Sequence, residues 1–125
     1  MTKRETGTLG EKLARDFLAN NGYTILDTNY RCREGEVDII ATHGETLVFI
    51  EVRTKTGRLY GTPEESITPT KAEHLRSVAL RYGLEHENLP QSWRIDLVAI
   101  EMNRDGRAER IELIENAVED NENTF

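Results

Sequence analysis

A single cysteine, Cys32, stands in 125 residues. No internal disulfide can form, and a thiolate-held metal centre has no second ligand. No apolar run reaches the roughly eighteen residues that cross a bilayer, and the N-terminal residues lack the apolar core of a secretion signal. These absences point to a reducing compartment, so the expected location is cytoplasmic, with no membrane partner. His43, His74 and His86 have no mutual ligand spacing, which sets a histidine metal site aside. Also missing is an excess of positive charge. The net charge is −7, which counts at first against a phosphate-rich partner, because phosphates are neutralised by lysine and arginine. The distribution weakens that objection. Residues 1–58 hold nine basic and nine acidic side chains, whereas residues 59–125 hold seven and fourteen. The balanced half can offer a local basic face, which a divalent cation bound at its carboxylates would strengthen.

A chain of this length buries roughly two-thirds of its unfolded surface. It reads as one domain, residues 1–118, followed by an acidic tail, 119–125, expected to be disordered. Met1 to Glu5 is expected to fray. Thr8-Leu9-Gly10-Glu11 matches a capping box and opens a predicted helix whose apolar face is Leu9, Leu13, Ala14, Phe17 and Leu18, with Gly22 as its stop. Alternation predicts strands over 23–30, 36–42 and 46–54, the last two joined by a hairpin turn at Gly44. After a loop over 56–67, Thr68-Pro69 caps a second helix with Ala72, Leu75, Val78, Ala79 and Tyr82 as its buried stripe and Gly83 as its end. A fourth strand over 93–102, a turn at Asn103 to Gly106 and a fifth strand around 110–114 complete the pattern. A helix between the third and fourth strands makes those two parallel. The fold class expected is α/β, helix-strand-strand-strand-helix-strand with an added hairpin strand, a mixed sheet flanked by helices.

The stretch 35–55 organises the rest. Side chains alternate along a strand, so Glu36, Asp38 and Ile40 share one face, as do Leu47, Phe49, Glu51, Arg53 and Lys55. Leu47 to Ile50 is apolar on both faces, the mark of a strand covered on both sides, and Glu51 interrupts it within the sheet. A buried carboxylate needs a partner, because an unpaired buried charge costs several kcal/mol or more. Where the two faces coincide, Asp38 and Glu51 meet. Two or three converging carboxylates beside a cation suit a hard metal such as Mg²⁺, which takes oxygen ligands, keeps waters and shares substrate phosphate. The reaction class suggested is phosphodiester hydrolysis. At about 3.4 Å per residue, Arg53 lies about 7 Å along the strand from Glu51 and Lys55 about 14 Å, so Arg53 is the cation in reach. Arginine does not titrate near neutral pH, so it can clamp a phosphate oxygen but cannot act as a general base.

Gly10-Glu11, then Gly35-Glu36-Val37-Asp38, then Phe49-Ile50-Glu51-Val52-Arg53 resemble in order the core of the PD-(D/E)xK nuclease superfamily, in the arrangement of archaeal Holliday-junction resolvases. More closely, residues 7–100, including Gly61-Thr62-Pro63 with the preceding Tyr60, Lys71 and Arg94-Ile95-Asp96, resemble the bacterial YraN family of predicted endonucleases. The resemblance implies a restriction-endonuclease-like core, Asp38 and Glu51 as ligands for Mg²⁺ or Mn²⁺, Glu11 helping from the first helix, and DNA, branched DNA included, as substrate. It also implies that Arg53 stands where the superfamily motif has lysine.

Structural readings stand beside these. Glu11 fits a capping box, and Asp38 and Glu51 suit ion pairs with Arg53 or Arg94 across the sheet. Lys71, in a helix first turn where the dipole disfavours a cation, tilts toward a phosphate contact. Arg31, Arg33, Lys55 and Arg58 are candidates to line a nucleic-acid groove. Resolving a junction would need a homodimer, for which Leu59, Tyr60 and an exposed sheet edge are the candidate contacts. Two alternatives to an endonuclease remain: a nucleic-acid-binding module of the same fold without chemistry, and a protein-interaction domain that uses the acidic late region.

Overall fold

The computed structural model describes residues 1–57 and 61–118. Arg58, Leu59, Tyr60 and the acidic tail, with the expectations placed on them, lie outside the described residues. The elements are α1 (Lys3–Asn20), β1 (Thr24–Cys32), β2 (Gly35–His43), β3 (Thr46–Thr56), a 3-10 turn (Glu64–Ser66), α2 (Pro69–Glu85), β4 (Ser92–Met102) and β5 (Ala108–Ile114). The five strands form one sheet in the order β1-β2-β3-β4-β5. All neighbours are antiparallel except β3 and β4, which run parallel across the α2 crossover. The expected mixed α/β sheet is present.

Each helix covers one face. Ala14 and Leu18 of α1 pack on Ile39, Ala41, Val48, Ile50, Val98 and Ile100. Leu75, Val78 and Tyr82 of α2 pack on Ile40, Leu47, Phe49, Trp93 and Ile95 of the other face. The central strands are therefore buried on both sides, which is why Leu47 to Ile50 and Leu97 to Ile100 carry no polar alternation. Gly44 supplies the left-handed conformation (φ 61°) that the tight β2–β3 turn requires. Among the described residues no helix is long and apolar enough to cross a membrane.

Two helix ends differ from expectation. Helix α1 begins at Lys3, capped by Thr2, whose side chain accepts from the Glu5 amide while the Glu5 carboxylate accepts from the Thr2 amide. Thr2-Lys3-Arg4-Glu5 offers the same box as Thr8 to Glu11, and starting there adds a turn and a half of helix hydrogen bonds, so residues 1–5 are not frayed. Helix α2 begins at the expected Thr68 cap but runs past Gly83 to Glu85, where the ring of His86 stacks on Tyr82. A glycine within a helix costs about 1 kcal/mol, too little to end one that is packed on a sheet.

The pairing of β2 with β3 stops at Ile39–Ile50, while β3 stays paired with β4 as far as Thr56–Met102. From Glu51 onward one edge of β3 is open. Helix α1 lies against this segment through Gly10, where a Cβ would sit 2.0 Å from Thr54 Oγ1 and 3.1 Å from Thr54 Cβ. A stiff, short side chain on a strand cannot yield that space. Gly10→Ala is therefore expected to destabilise the protein by about 1–3 kcal/mol in urea unfolding. Adding Thr54→Gly should recover part of the loss. A neutral Gly10→Ala would show that α1 does not rest on β3 at this point.

Candidate active site

Asp38 sits where β2 parts from β3. Ile39 faces α1, yet Val37, two residues earlier, belongs to the cluster under α2. Regular alternation therefore breaks at Asp38, and the expected common face for Glu36, Asp38 and Ile40 is not kept. On β1, between the pairs Thr28–Ile39 and Tyr30–Val37, Asn29 adopts a left-handed conformation (φ 53°) that turns the strand at the same point. One Asp38 oxygen, Oδ2, accepts from the Val52 amide at 2.8 Å. A side chain has replaced the main-chain partner that β2 no longer supplies.

Glu51 is the first residue of β3 beyond that parting, and its side chain is only 3% exposed. Its Oε2 meets Lys71 Nζ of α2 at 2.8 Å and Arg53 Nη2 at 3.0 Å. Burial and the neighbouring Asp38 carboxylate push the Glu51 acid up to about 8, and Lys71 and Arg53 oppose that shift without cancelling it. Glu11, on α1, lines a cleft together with Asp38 and Arg53, and burial followed by the Asp38 charge raises its pKa too. Arg53 is partly exposed at 35%, and its buried Nε has no hydrogen-bond partner.

The four residues expected at the centre, Glu11, Asp38, Glu51 and Arg53, are thus brought together. The candidate nucleic-acid contacts are scattered. Lys55 lines the same cleft, of about 770 Å³. Lys71 is 24% exposed, engaged with Glu51, and lines a separate cavity of about 370 Å³. Arg31 pairs with Glu36 at 3.0 Å beside that second cavity, and Arg33 is exposed in the β1–β2 turn. Asp96 belongs elsewhere. It is fully buried, accepts from Arg94 Nε at 3.0 and 3.1 Å and from the Asn116 amide at 3.0 Å, and Arg94 in turn reaches Tyr23 Oη at 2.7 Å. Lys3 lines the cleft as well and was hidden in sequence by the expectation that residues 1–5 fray.

Among the described residues no three His, Cys, Asp or Glu side chains gather closely enough to cage an ion alone. Asp38 and Glu51 are a neighbouring pair of hard oxygen donors, and a divalent cation would offset the Asp38 charge and the burial that raise the Glu51 acid. Mg²⁺, commonly held by one or two carboxylates together with substrate phosphate and water, fits this donor set.

Fold and cleft define a two-helix mixed-sheet domain with acidic and basic side chains converging at an open strand edge. The chain belongs to uncharacterised protein family UPF0102, whose model matches residues 10–100, the YraN-like family that the ordered motifs resemble. It is 44% identical over 117 residues to a UPF0102 protein of Moorella thermoacetica, covering 94% of this chain and 98% of that one. A UPF0102 protein of Dehalococcoides mccartyi is 47% identical over 116 residues, covering 93% and 94%. One from Renibacterium salmoninarum is 46% identical over 99 residues, covering 79% and 84%.

The raised Glu51 acid has a consequence for stability. Between the ordinary carboxylate pKa of 4.5 and about 8, the folded protein holds a proton that the unfolded chain releases. The stabilisation is complete below the lower value and is lost as pH rises through the upper one. With chelator present, raising the pH from 5 to 9 should lower wild-type stability relative to Glu51→Gln by on the order of 2 kcal/mol. Parallel pH profiles for the two proteins would contradict the burial of a proton at Glu51.

Proposed function

We propose that the protein is a Mg²⁺-dependent endonuclease of the PD-(D/E)xK type, acting on phosphodiesters of structured or branched DNA, with Mn²⁺ as an alternative metal. The observation that carries this reading is the convergence of Asp38 and Glu51 at the parting of β2 and β3, with Asp38 lining a cleft of about 770 Å³ and Glu51 buried against it. Asp38 and Glu51 would hold the ion. When bound, it would neutralise charge on the phosphodiester and acidify a water.

The remaining work falls to this chain's own side chains. Asp38 is oriented by the Val52 amide, so its other oxygen keeps a fixed direction. Lys71 and Arg53 hold Glu51 in one position and limit the cost of its burial. Arg53 lines the cleft and is partly exposed, so its guanidinium would hold a phosphate oxygen as negative charge builds there. It clamps and does not take a proton. Glu11 adds a carboxylate from α1 near Asp38, where it can orient water.

A second reading, a DNA-binding module without chemistry, is favoured by one observation: Glu51 Oε2 is already engaged by two cations. Cleavage assays separate the two. Asp38→Asn and Glu51→Gln should each lower Mg²⁺-dependent cleavage of branched, single-stranded or duplex DNA by about a hundredfold or more, with circular dichroism unchanged. Undiminished cleavage in both variants would remove the assignment. A wild type that binds but never cleaves, with activity appearing in Arg53→Lys, would establish the second reading.

A further inference from the structure

Backbone amides alternate in direction along a strand, and two bonds fix the phase on β3. The Val52 amide points to the open edge, since it donates to Asp38, whereas the Gly57 amide points to β4, donating to the Met102 carbonyl at 3.4 Å. The amides of Thr54 and Thr56 accordingly point to the open edge. That edge forms one wall of the 770 Å³ cleft, and the first turns of α1, with Lys3, Thr6 and Gly7, form the other. Helix and strand run in opposite directions here, Gly10 lying at Thr54 and Thr6 sharing a smaller cavity with Thr56. From Glu11 to Lys3 is about 12 Å along the helix, and from Val52 to Thr56 about 13 Å along the strand. The groove therefore leaves the carboxylates and runs on for about 12–13 Å.

Among the described residues, its polar lining beyond Glu11 and Asp38 is basic or neutral. Lys3, Lys55, threonine hydroxyls and strand amides are groups that take phosphate oxygens. Among the described residues the groove presents no aromatic side chain on which a base could stack. On the opposite flank Arg31 pairs with Glu36 at 3.0 Å, both exposed, and with Lys71 borders a cavity separate from this one.

We propose that the groove between the start of α1 and the open edge of β3 carries the sugar-phosphate backbone of the DNA away from the cleavage site, held by Lys3 and Lys55, without regard to base sequence. The proposal rests on Asp38 and Glu51 being that site and adds which basic flank the DNA follows.

The test compares equal charge removal on the two flanks. Binding to two duplexes of unrelated sequence is measured by fluorescence anisotropy, with chelator present, across a salt series from low ionic strength. Lys3→Ala with Lys55→Ala is expected to weaken binding about tenfold or more at low salt and to reduce the slope of log K against log salt by about 2. Arg31→Ala with Arg33→Ala is expected to leave the slope unchanged, and both duplexes are expected to bind alike. Equal losses on the two flanks, a loss confined to the arginine pair, or a tenfold preference between duplexes would each overturn the proposal. Cleavage is read separately. A lysine pair without effect, alongside Asp38→Asn that still abolishes cleavage, removes the groove and leaves the site. A wild type that binds no DNA at low salt removes both.

Discussion

The Val52 amide is bonded to a side chain, where the residues before it on that edge of β3 pair with the β2 main chain. Asp38 supplies that bond at 2.8 Å at the point where β2 turns away from β3. Without it, the parting would leave a half-buried donor unmatched, at a cost of about 1–3 kcal/mol. With it, the edge of β3 opens while β4 still holds the strand straight. The open edge, the cleft beside it and the meeting of Asp38 with Glu51 all follow from that substitution.

The second constraint is charge. Glu51 lies midway along a strand buried on both sides, and the cation the sheet offers it among the described residues is Arg53. Lys71 arrives from α2, across the sequence distance of the crossover, and closes the pair at 2.8 Å. The two helices thereby act on one site from opposite faces, α1 bringing Glu11 over the cleft and α2 bringing Lys71 beneath Glu51. Gly10 matters for the first and the Thr68 cap for the second, since each sets where its helix lies. A contact between Glu51 and Lys71 this buried is a weak source of stability, so its value is better sought in the position it imposes on Glu51.

Much of this was readable from residues alone, because the patterns involved are local. Alternation placed the strands, Gly44 and Asn103 to Gly106 marked the turns, Thr68-Pro69 marked the start of α2, and a helix between two strands required the parallel pair. What escaped depends on competition or on distance. Thr2-Glu5 and Thr8-Glu11 are equivalent boxes, and only the whole helix decides between them. The flip at Asp38 depends on Asn29 adopting a left-handed conformation on the neighbouring strand, which alternation along β2 cannot report. Lys71 carried a faint signal, a cation at a helix N-terminus, whose cause appears only once α2 is laid under Glu51. Lys3 carried none, because its importance comes from α1 starting early and lying along β3.

The central claim is that Asp38 and Glu51 form a cation site, and calorimetric titration of Mg²⁺ or Mn²⁺ into wild type and Asp38→Ala tests it most directly. Performed near pH 6.5 in buffers of different ionisation heat, with and without duplex DNA, it should show binding that depends on Asp38. The heat should vary with the buffer, because the ion displaces the proton that burial keeps on Glu51. Binding of equal strength in the variant, or no binding by wild type even with DNA present, would contradict the account.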